Sequence, residues 1–578
     1  MLRLNRSSLI FVGISFVVFI TYLLYLQSEV SIPKSVERTD SKPGQNVGVV
    51  KDTKPAQELP ILSAVTYNFE IDRIKFNQIM VDIQTLVHKD TNKKIYEYIN
   101  VKYEQSHFDD FSKMAAEFKE LQRFWIINRR LVNEAITNGA GAAHSDVKRF
   151  IFGLLQKDAE LSKHLADLED YYYLMGRLEQ KLVGWIRPFN SDIASLYDTY
   201  KPNSKAIIIG ISNGYMGLGS TAVRAIREIH KSDIPIHVYY IGDNDLSFEN
   251  RQLLQGMGAN VYTHDITKLL DNRIIDLGGW ALKPFAALLA PAEEVMLVDA
   301  DITFIQSPDA IFQHPDYLER KALFFWDRAM WKNNPDNAKW VLSFAMSDKE
   351  FDELNPDYKY APKGDESDKI DDITIPRRLQ KSRYITLEAA HEQESGVVVI
   401  NKRERFIPLL TTCNMNNKKE RDEVSYKKFH GDKETFWTGF EMVGGQYAWN
   451  PNPPGMISDA TFQPTEKLPE IPTVPHDHKW EGTHKLCSTQ MLHFDHNTKP
   501  LWFNGGLYAN KFSKQWGLGV FTHYIHGKKA KWSLGEANWV CMDSEDGEVL
   551  ALSSDTAKVV ADSEKILLEV KEKYGFDE

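Results

Sequence analysis

Two hydrophobic rhythms divide the chain beyond its first sixty residues. From about Tyr67 to Asp198, apolar side chains recur at three- and four-residue steps. In "HFDDFSKMAAEFKELQRFWIINRRLVNEAI" the stripe runs through Phe108, Phe111, Phe118, Leu121, Trp125 and Leu131, the spacing of helices with one buried face. "LEDYYYLMGRLEQKLVGWI" repeats the pattern, and its aromatics read as core, not as a ligand box. At Lys205 the rhythm changes. Short apolar runs ("KAIIIGI", "IPIHVYYIG", "NVYTHDI", "EEVMLVDADITFI") alternate with helix-periodic ones ("YMGLGSTAVRAIREIHKS", "SFENRQLLQGMGA", "WALKPFAALLAP"). This alternation predicts an α/β fold built on a parallel, doubly wound sheet. Ligands of such sheets bind beyond the carboxyl ends of the strands, where "NGYMGLGS" and Asp299-Ala300-Asp301 both fall. The glycines at 214, 217 and 219 do not form a dinucleotide fingerprint and suit a flexible strand-to-helix turn.

The N-terminal pattern is of another kind. Leu9 to Leu26 carries no charge, follows Arg3 and Arg6, and is just long enough to cross a bilayer core. The positive-inside rule then leaves the N-terminus cytosolic. A cleaved signal peptide is the alternative, but the run is long for one and "QSEVSIP" lacks a small-x-small cleavage site. Ser31 to Pro60, rich in Pro, Lys, Ser and Gly, cannot bury enough surface to fold and reads as a stem. The expected organisation is a cytosolic tail (1–8), transmembrane anchor (9–26), stem (27–62), helical lumenal region (63–200), α/β domain (201–545) and C-terminal helical tail (546–578). This is the layout of a Golgi-resident, single-pass type II enzyme, and also of some receptors and proteases. No Asn-x-Ser/Thr acceptor occurs beyond the anchor.

Composition narrows the partners. Among 578 residues the net charge is -11, which argues against nucleic acid. Three cysteines, Cys413, Cys487 and Cys541, exclude a disulfide-built scaffold and leave one thiol over if a bridge forms, with the pairing open.

The chemistry centres on "EEVMLVDADITFIQSP". Two carboxylates one residue apart at the end of a buried strand are costly unless paired or holding a metal. Asp299 to Thr303 matches the Asp-x-Asp-x-Thr of a haloacid-dehalogenase-type phosphohydrolase literally. That strand normally opens its domain, whereas here a βαβαβα unit precedes it, and "GDESDKIDD" offers acids without an apolar strand. The other candidate is a two-lobed, Rossmann-like (GT-A) nucleotide-sugar glycosyltransferase. There an Asp-x-Asp closes the nucleotide-binding half and holds Mn²⁺ or Mg²⁺ against the sugar-nucleotide diphosphate. This order of parts predicts α/β structure before the pair, as found.

Downstream, "HFDHNTKPLWFN" is similar to the His-Phe-x-x-x-x-Lys-Pro pattern of retaining transferases resembling glycogenin. That resemblance implies His493 as third metal ligand beside Asp299 and Asp301, with His496 its rival. It also implies Lys499 on the diphosphate and Lys283 as a phosphate- or ribose-binding lysine. Taken together, "LGGWALKPFAALLAPAEEVMLVDADITFIQSP", "EQESGVVVINK", "FHGDKETFWTGFE" and "STQMLHFDHNTKPLWFNGG" resemble the fungal Golgi α-1,3-mannosyltransferases of the glycosyltransferase 71 type, from about Lys205 to Val540. The resemblance implies mannose transfer from GDP-mannose, with retention and with Mn²⁺, to a terminal mannose of an N- or O-linked glycan on a glycoprotein. It also implies a role for "HGDKETFW", with Asp432 and Glu434 positioning the transferred mannose, although an N-cap with first-turn acids explains the block equally. Glu394, in "ESG" before the buried run Val397–Ile400, borders the acceptor on the same reading. Asn213, Gly214, Trp280 and Gly445 complete the substrate-side candidates. Another donor or linkage on the same fold, or a lectin-like protein on a decayed transferase fold, remain as alternatives. The intact Asp299, Asp301, His493 and Lys499 speak against decay.

Overall fold

Helices carry the aromatic stripes of the first third, and acidic caps set their starts. The computed structural model describes residues 69–89, 108–138, 141–186, 190–360, 369–459, 485–510, 517–534, 539–544 and 549–575. The anchor and stem expected over 9–26 and 27–62 lie outside these residues; among the described ones no helix is long and apolar enough to cross a membrane. Helix α1 (Arg73–Val87) begins at Asp72, whose carboxylate accepts from the Ile74 and Lys75 N–H groups. Helix α2 (Phe111–Arg130) begins at Asp110 in the same way. Helices α3 (His144–Leu155) and α4 (Leu165–Val183) follow. Phe111, Phe118, Leu121 and Trp125 of the stripe are all buried.

The α/β part begins with β1 (Lys201–Gly210), α5 (Met216–Glu228), β2 (Ile236–Tyr240), α6 (Phe248–Gln255), β3 (Val261–Asp265), α7 (Leu282–Leu289) and β4 (Ala292–Val298). These four strands are parallel, in the order β3-β2-β1-β4. The order reverses between β1 and β4, and that reversal opens a crevice at their carboxyl ends. Alternation along the strands divides the core. Ile208 and Leu297 face the helical side, while Ile207, Ile209, Met296 and Val298 face the other.

The sheet continues with β6 (Ala322–Trp326) and β7 (Gln393–Asn401), and here the expected parallel sheet becomes mixed. Strand β7 lies between β4 and β6, antiparallel to both. The segment joining β6 to β7 loops back instead of crossing over, so β7 must run in reverse. Its register against β6 breaks between Glu394 and Val399, a bulge that frees the intervening backbone. Two helices behind this region, α8 (Phe406–Met415) and α9 (Thr435–Val443), receive α2. The Trp125 ring lies 5.0 Å from Phe406, so the N-terminal helices share one core with the sheet.

Strand β5 (Thr303–Phe304) leaves the first sheet for a second, antiparallel one. The two-residue strand β8 (Ala448–Trp449) edges the first sheet. The second sheet runs β16-β13-β9-β11-β12-β5, from β9 (Gly455–Ser458) through β11 (Met491–Phe494), β12 (Pro500–Asn504) and β13 (His523–Ile525) to β16 (Leu550–Ala551). A third sheet joins β10 (Lys485–Ser488), β15 (Val540–Ser544) and β14 (Ala530–Leu534). There Cys487 and Cys541, directly opposed, form a disulfide, and Cys413 is the free, buried thiol. The C-terminal helix α10 (Ser554–Tyr574) lies on α5, with Arg224 and Glu569 paired at 2.8 Å.

Candidate active site

The acidic pair sits where the chain passes from the first sheet to the second. Strand β4 ends at Val298, the Asp299 N–H donates to the Gly396 carbonyl at 2.8 Å, and β5 starts at Thr303. Asp299 keeps 29% of its side chain exposed, whereas Asp301 is buried at 8%. The Gly506 N–H donates to the Asp301 carbonyl at 2.8 Å. Gly506 has φ +68°, and a Cβ there would press on Leu218 at 3.1 Å, so glycine allows this approach. The pair follows three strands rather than opening the sheet, which disfavours the phosphohydrolase reading.

Lys283, on α7, organises the acids. Its ammonium lies 3.0 Å from Asp299 Oδ1, 3.1 Å from Asp432 Oδ2 and 2.9 Å from Ser395 Oγ, with the Ser395 carbonyl at 3.2 Å. The bulge in β7 is what frees that carbonyl. Burial alone would push the ammonium toward neutrality, but Asp299 and Asp432 outweigh it and raise its pKa. All three N–H donors of the lysine are thus engaged by protein. The resemblance implies a phosphate- or ribose-binding lysine; in this structure Lys283 is the counter-ion shared by the acids. One lysine does not neutralise the acids around it. Removal from water, with Asp301, Asp432 and Glu394 nearby, raises Asp299 to about 6 against the pull of Lys283. Asp432 is raised by burial likewise.

A second lysine repeats the device. Lys433 lies 2.7 Å from Asp327 and 3.0 Å from Glu394. Burial would raise both carboxyls, but Lys433 holds both below the usual carboxylate range. Glu394 also accepts from Asn504 Nδ2 at 2.8 Å and from the Gly396 N–H at 2.9 Å. Lys433, Asp327, Ser395 and Asn504 were not among the sequence candidates. Asp327 had a usable signal, since it directly follows the apolar strand "ALFFW", as Asp299 follows β4.

Other expected members part from this cluster. Glu434 is fully buried and accepts the N–H groups of Glu392 (3.0 Å), Gln393 (3.4 Å) and Trp437 Nε1 (2.5 Å). It pins the start of β7 to α9. Gly445 is packing: a Cβ there would lie 2.6 Å from Pro408 Cγ. Lys499 is exposed in the turn between β11 and β12, its N–H donating to Asp495 at 2.9 Å. Asn504 reaches Glu394 from the other end of β12, roughly 16 Å along the strand, so Lys499 lies away from the acids. His496, in the same turn, packs on His314. His493 stacks on Trp502 at 3.9 Å and stands edge-on to Phe325. Burial pushes its pKa to about 3, against the pull of Glu394 and Asp327. Among the described residues neither ring nitrogen has a hydrogen-bond partner. Among the described residues no three His, Cys, Asp or Glu side chains converge as metal ligands do, so the expected Asp299–Asp301–His493 set is not assembled here. The aspartate pair alone still fits a hard cation of the kind held by one or two carboxylates, substrate phosphates and water. Asn213 closes the turn after β1, bonded to Ser247 and Asn250, with exposed Gly214 beside it. Trp280, 54% exposed, stands one turn before Lys283.

A protein-family profile described as "Mannosyltransferase putative" matches residues 204–495, just over half of the chain. The "Putative alpha-1,3-mannosyltransferase MNN14" of Candida albicans is 25% identical over 57% of this chain and 47% of its own length. Alpha-1,3-mannosyltransferase MNT3 of Saccharomyces cerevisiae is 27% identical over 50% of this chain and 44% of its own length. The chain therefore spans about half the length of the curated relatives it matches. Among solved structures, the mannosyltransferase Ktr4p of S. cerevisiae in complex with GDP aligns over 64% of this chain and 84% of that chain at 9% identity, with a TM-score of 0.27. That likeness is too slight to carry an argument.

Proposed function

The chain belongs to this mannosyltransferase family, and on that premise we propose that it moves mannose from GDP-mannose to a terminal mannose of an N- or O-linked glycan. The linkage formed is α-1,3, with retention of configuration, as the names of the relatives suggest. The observation that carries the reading is the acid cluster at the β1/β4 crevice, where one buried lysine joins Asp299 to Asp432. Asp299 and Asp301 would hold Mn²⁺ or Mg²⁺, which when bound neutralises the departing diphosphate. Lys283 fixes the angle of Asp299 and offsets its charge. Lys433 does the same for Glu394, and Asn504 sets the orientation of that carboxylate. Asp432 and Glu394 are each held in place by a lysine. A front-face reaction needs neither as nucleophile, because the departing phosphate oxygen takes the acceptor proton; a double displacement would need one. The uncharged run Leu9–Leu26 supports placement in the Golgi membrane with the catalytic part lumenal.

The test uses the full chain in detergent, GDP-mannose and labelled mannobiose, with and without Mn²⁺, followed by linkage analysis of the product. A metal-stimulated α-1,3-linked trisaccharide is expected. No product from GDP-mannose, with product from another sugar nucleotide, would overturn the donor assignment.

A further inference from the structure

Four rings form a continuous row over the acid cluster. Trp280 lies 5.2 Å from His430, His430 lies 5.7 Å from His391, and His391 lies 6.2 Å from Trp331, centroid to centroid. Trp280 is 54% and Trp331 45% exposed, and His430 is exposed as well. Large exposed aromatics in contact with one another call for an explanation, since single scattered ones do not.

The framework beneath holds the row in place. His430 opens the turn that contains Asp432 and Lys433. Asp432 pairs with Lys283, three residues after Trp280, and Lys433 pairs with Asp327, four residues before Trp331. Each tryptophan-bearing segment is therefore tied by one ion pair to the same turn. Gly431, at φ +68°, lets the Trp280 ring lie against the backbone, because a Cβ there would come within 2.6 Å of Trp280 Cε3. On the other side, the Ala390 N–H donates to the Trp331 carbonyl at 2.5 Å, next to His391. The ring row and the acid cluster are thus two faces of one rigid unit.

We propose that this row seats the acceptor saccharide, an uncharged oligomannose end, with the two tryptophans under sugar rings at its two ends and the imidazoles between them. The chemistry matches the ligand. A pyranose presents apolar C–H faces that stack on indole and a rim of hydroxyls that hydrogen-bond to imidazole nitrogens, and the row alternates these surfaces. It suits the acceptor better than the donor because its rings carry no fixed cation for a diphosphate. It also runs from Trp280, three residues before Lys283, to Trp331, in the segment that follows β6. The Trp280 end would take the sugar that is extended, and the Trp331 end a sugar further back along the acceptor. The inference rests on the mannosyltransferase reading for the identity of the sugar.

The experiment compares full-length protein with Trp331→Ala and Trp331→Phe, since Trp331 is half exposed and its loss spares the core. Initial rates are measured against mannobiose, mannotetraose and GDP-mannose, together with slow hydrolysis of GDP-mannose without acceptor. Trp331→Ala should raise the mannotetraose KM about 3- to 10-fold, the scale of one lost aromatic stack, and Trp331→Phe should restore most of it. The GDP-mannose KM and the acceptor-free hydrolysis should stay unchanged, and mannobiose should be little affected. An unchanged mannotetraose KM, or a change in the GDP-mannose KM instead, would overturn the assignment. Calorimetric binding of mannotetraose without donor separates the two readings. If the protein transfers no mannose yet binds mannotetraose in a Trp331-dependent way, the subsite stands and the donor reading falls. If it transfers mannose but shows no Trp331-dependent binding, the donor reading stands and the subsite falls.

Discussion

Replacing Lys283 with Met tests the central device of the site. Met fills a similar apolar length but removes the ammonium from between Asp299, Asp432 and the Ser395 oxygens. Breaking a buried ion pair from one side costs about 3–5 kcal/mol, because the remaining charge is left uncompensated. Asp299 is partly exposed, and water entering there discounts the loss to about 2–4 kcal/mol. The pH dependence carries a sign that simple cavity formation lacks. Asp299 is already raised to about 6 and Asp432 is raised with it; without the lysine both rise further. An acid whose folded pKa exceeds its unfolded value takes up a proton on folding. Its penalty is therefore absent at low pH and grows as pH rises through the folded pKa. The variant's deficit should be largest near pH 7.5 and shrink by pH 5.5. Thermal unfolding at matched scan rate, with the exposed Lys113→Met as control, measures it. Adding Asp432→Asn should recover part of the loss, which a double-mutant cycle reads as coupling. A Lys283→Met protein as stable as the control, or a deficit that widens on acidification, would refute the counter-ion role.

Asp299→Ala and Asp301→Ala should each abolish transfer at low Mn²⁺ without unfolding the protein, as circular dichroism and activity across a Mn²⁺ titration would show; near-normal activity of Asp301→Ala would remove the metal from this pair. His493→Ala should lower stability by about 2–4 kcal/mol through the hole left against Trp502 and Phe325, while the Mn²⁺ concentration for half activity shifts by less than about threefold. A loss nearer the 10–100-fold typical of a supporting metal-site group, absent in His496→Ala, would make His493 a ligand after all. Burial raises Glu392 to about 7 and Glu434 to about 8, so both take up protons on folding, and the melting temperature should fall as pH rises from 5.5 to 8.5. Glu434→Gln should flatten that slope; a melting temperature that climbs over this range would show both carboxyls ionised in the fold.

What could be read from the chain follows from how local each signal is. The stripe through Phe111, Phe118 and Trp125 is a property of one helix, and the runs ending at Gly210 and Val298 are properties of single buried strands. Their existence, their type and the place of Asp299 beyond a strand end were therefore legible. Strand β7 was visible as an apolar run, but its direction depends on the route taken between Trp326 and Gln393, which no local pattern encodes. The parallel sheet expected from alternation accordingly became mixed. The cysteines show the same limit, because Cys487 and Cys541 meet only when β10 and β15 pair across 54 residues.

The site residues divide along the same line, and the division explains why motif spacing misled at Lys499. A lysine six residues after a histidine is a statement about sequence distance, whereas the hairpin formed by β11 and β12 turns that interval into its tip. His493 then faces Trp502 across the ladder, Lys499 goes out to solvent, and it is Asn504, past the end of the motif, that arrives at Glu394. Charge pairing was hidden for a different reason. Lys433 stands between two acidic neighbours in "GDKE", where local pairing is the simplest expectation, but a turn with Gly431 at positive φ points it at Asp327 and Glu394 instead. The cluster is held by contacts between β4, β7, α7 and this turn, 16 to 149 residues apart for Lys283 alone. Two lysines, Lys283 buried and Lys433 half-buried, are each shared between carboxylates from different elements, so moving any one of these elements leaves a charge without its partner. That restraint would keep Asp299 at a constant angle to the crevice, which a front-face reaction requires because no covalent bond to the protein holds the sugar while its leaving group departs.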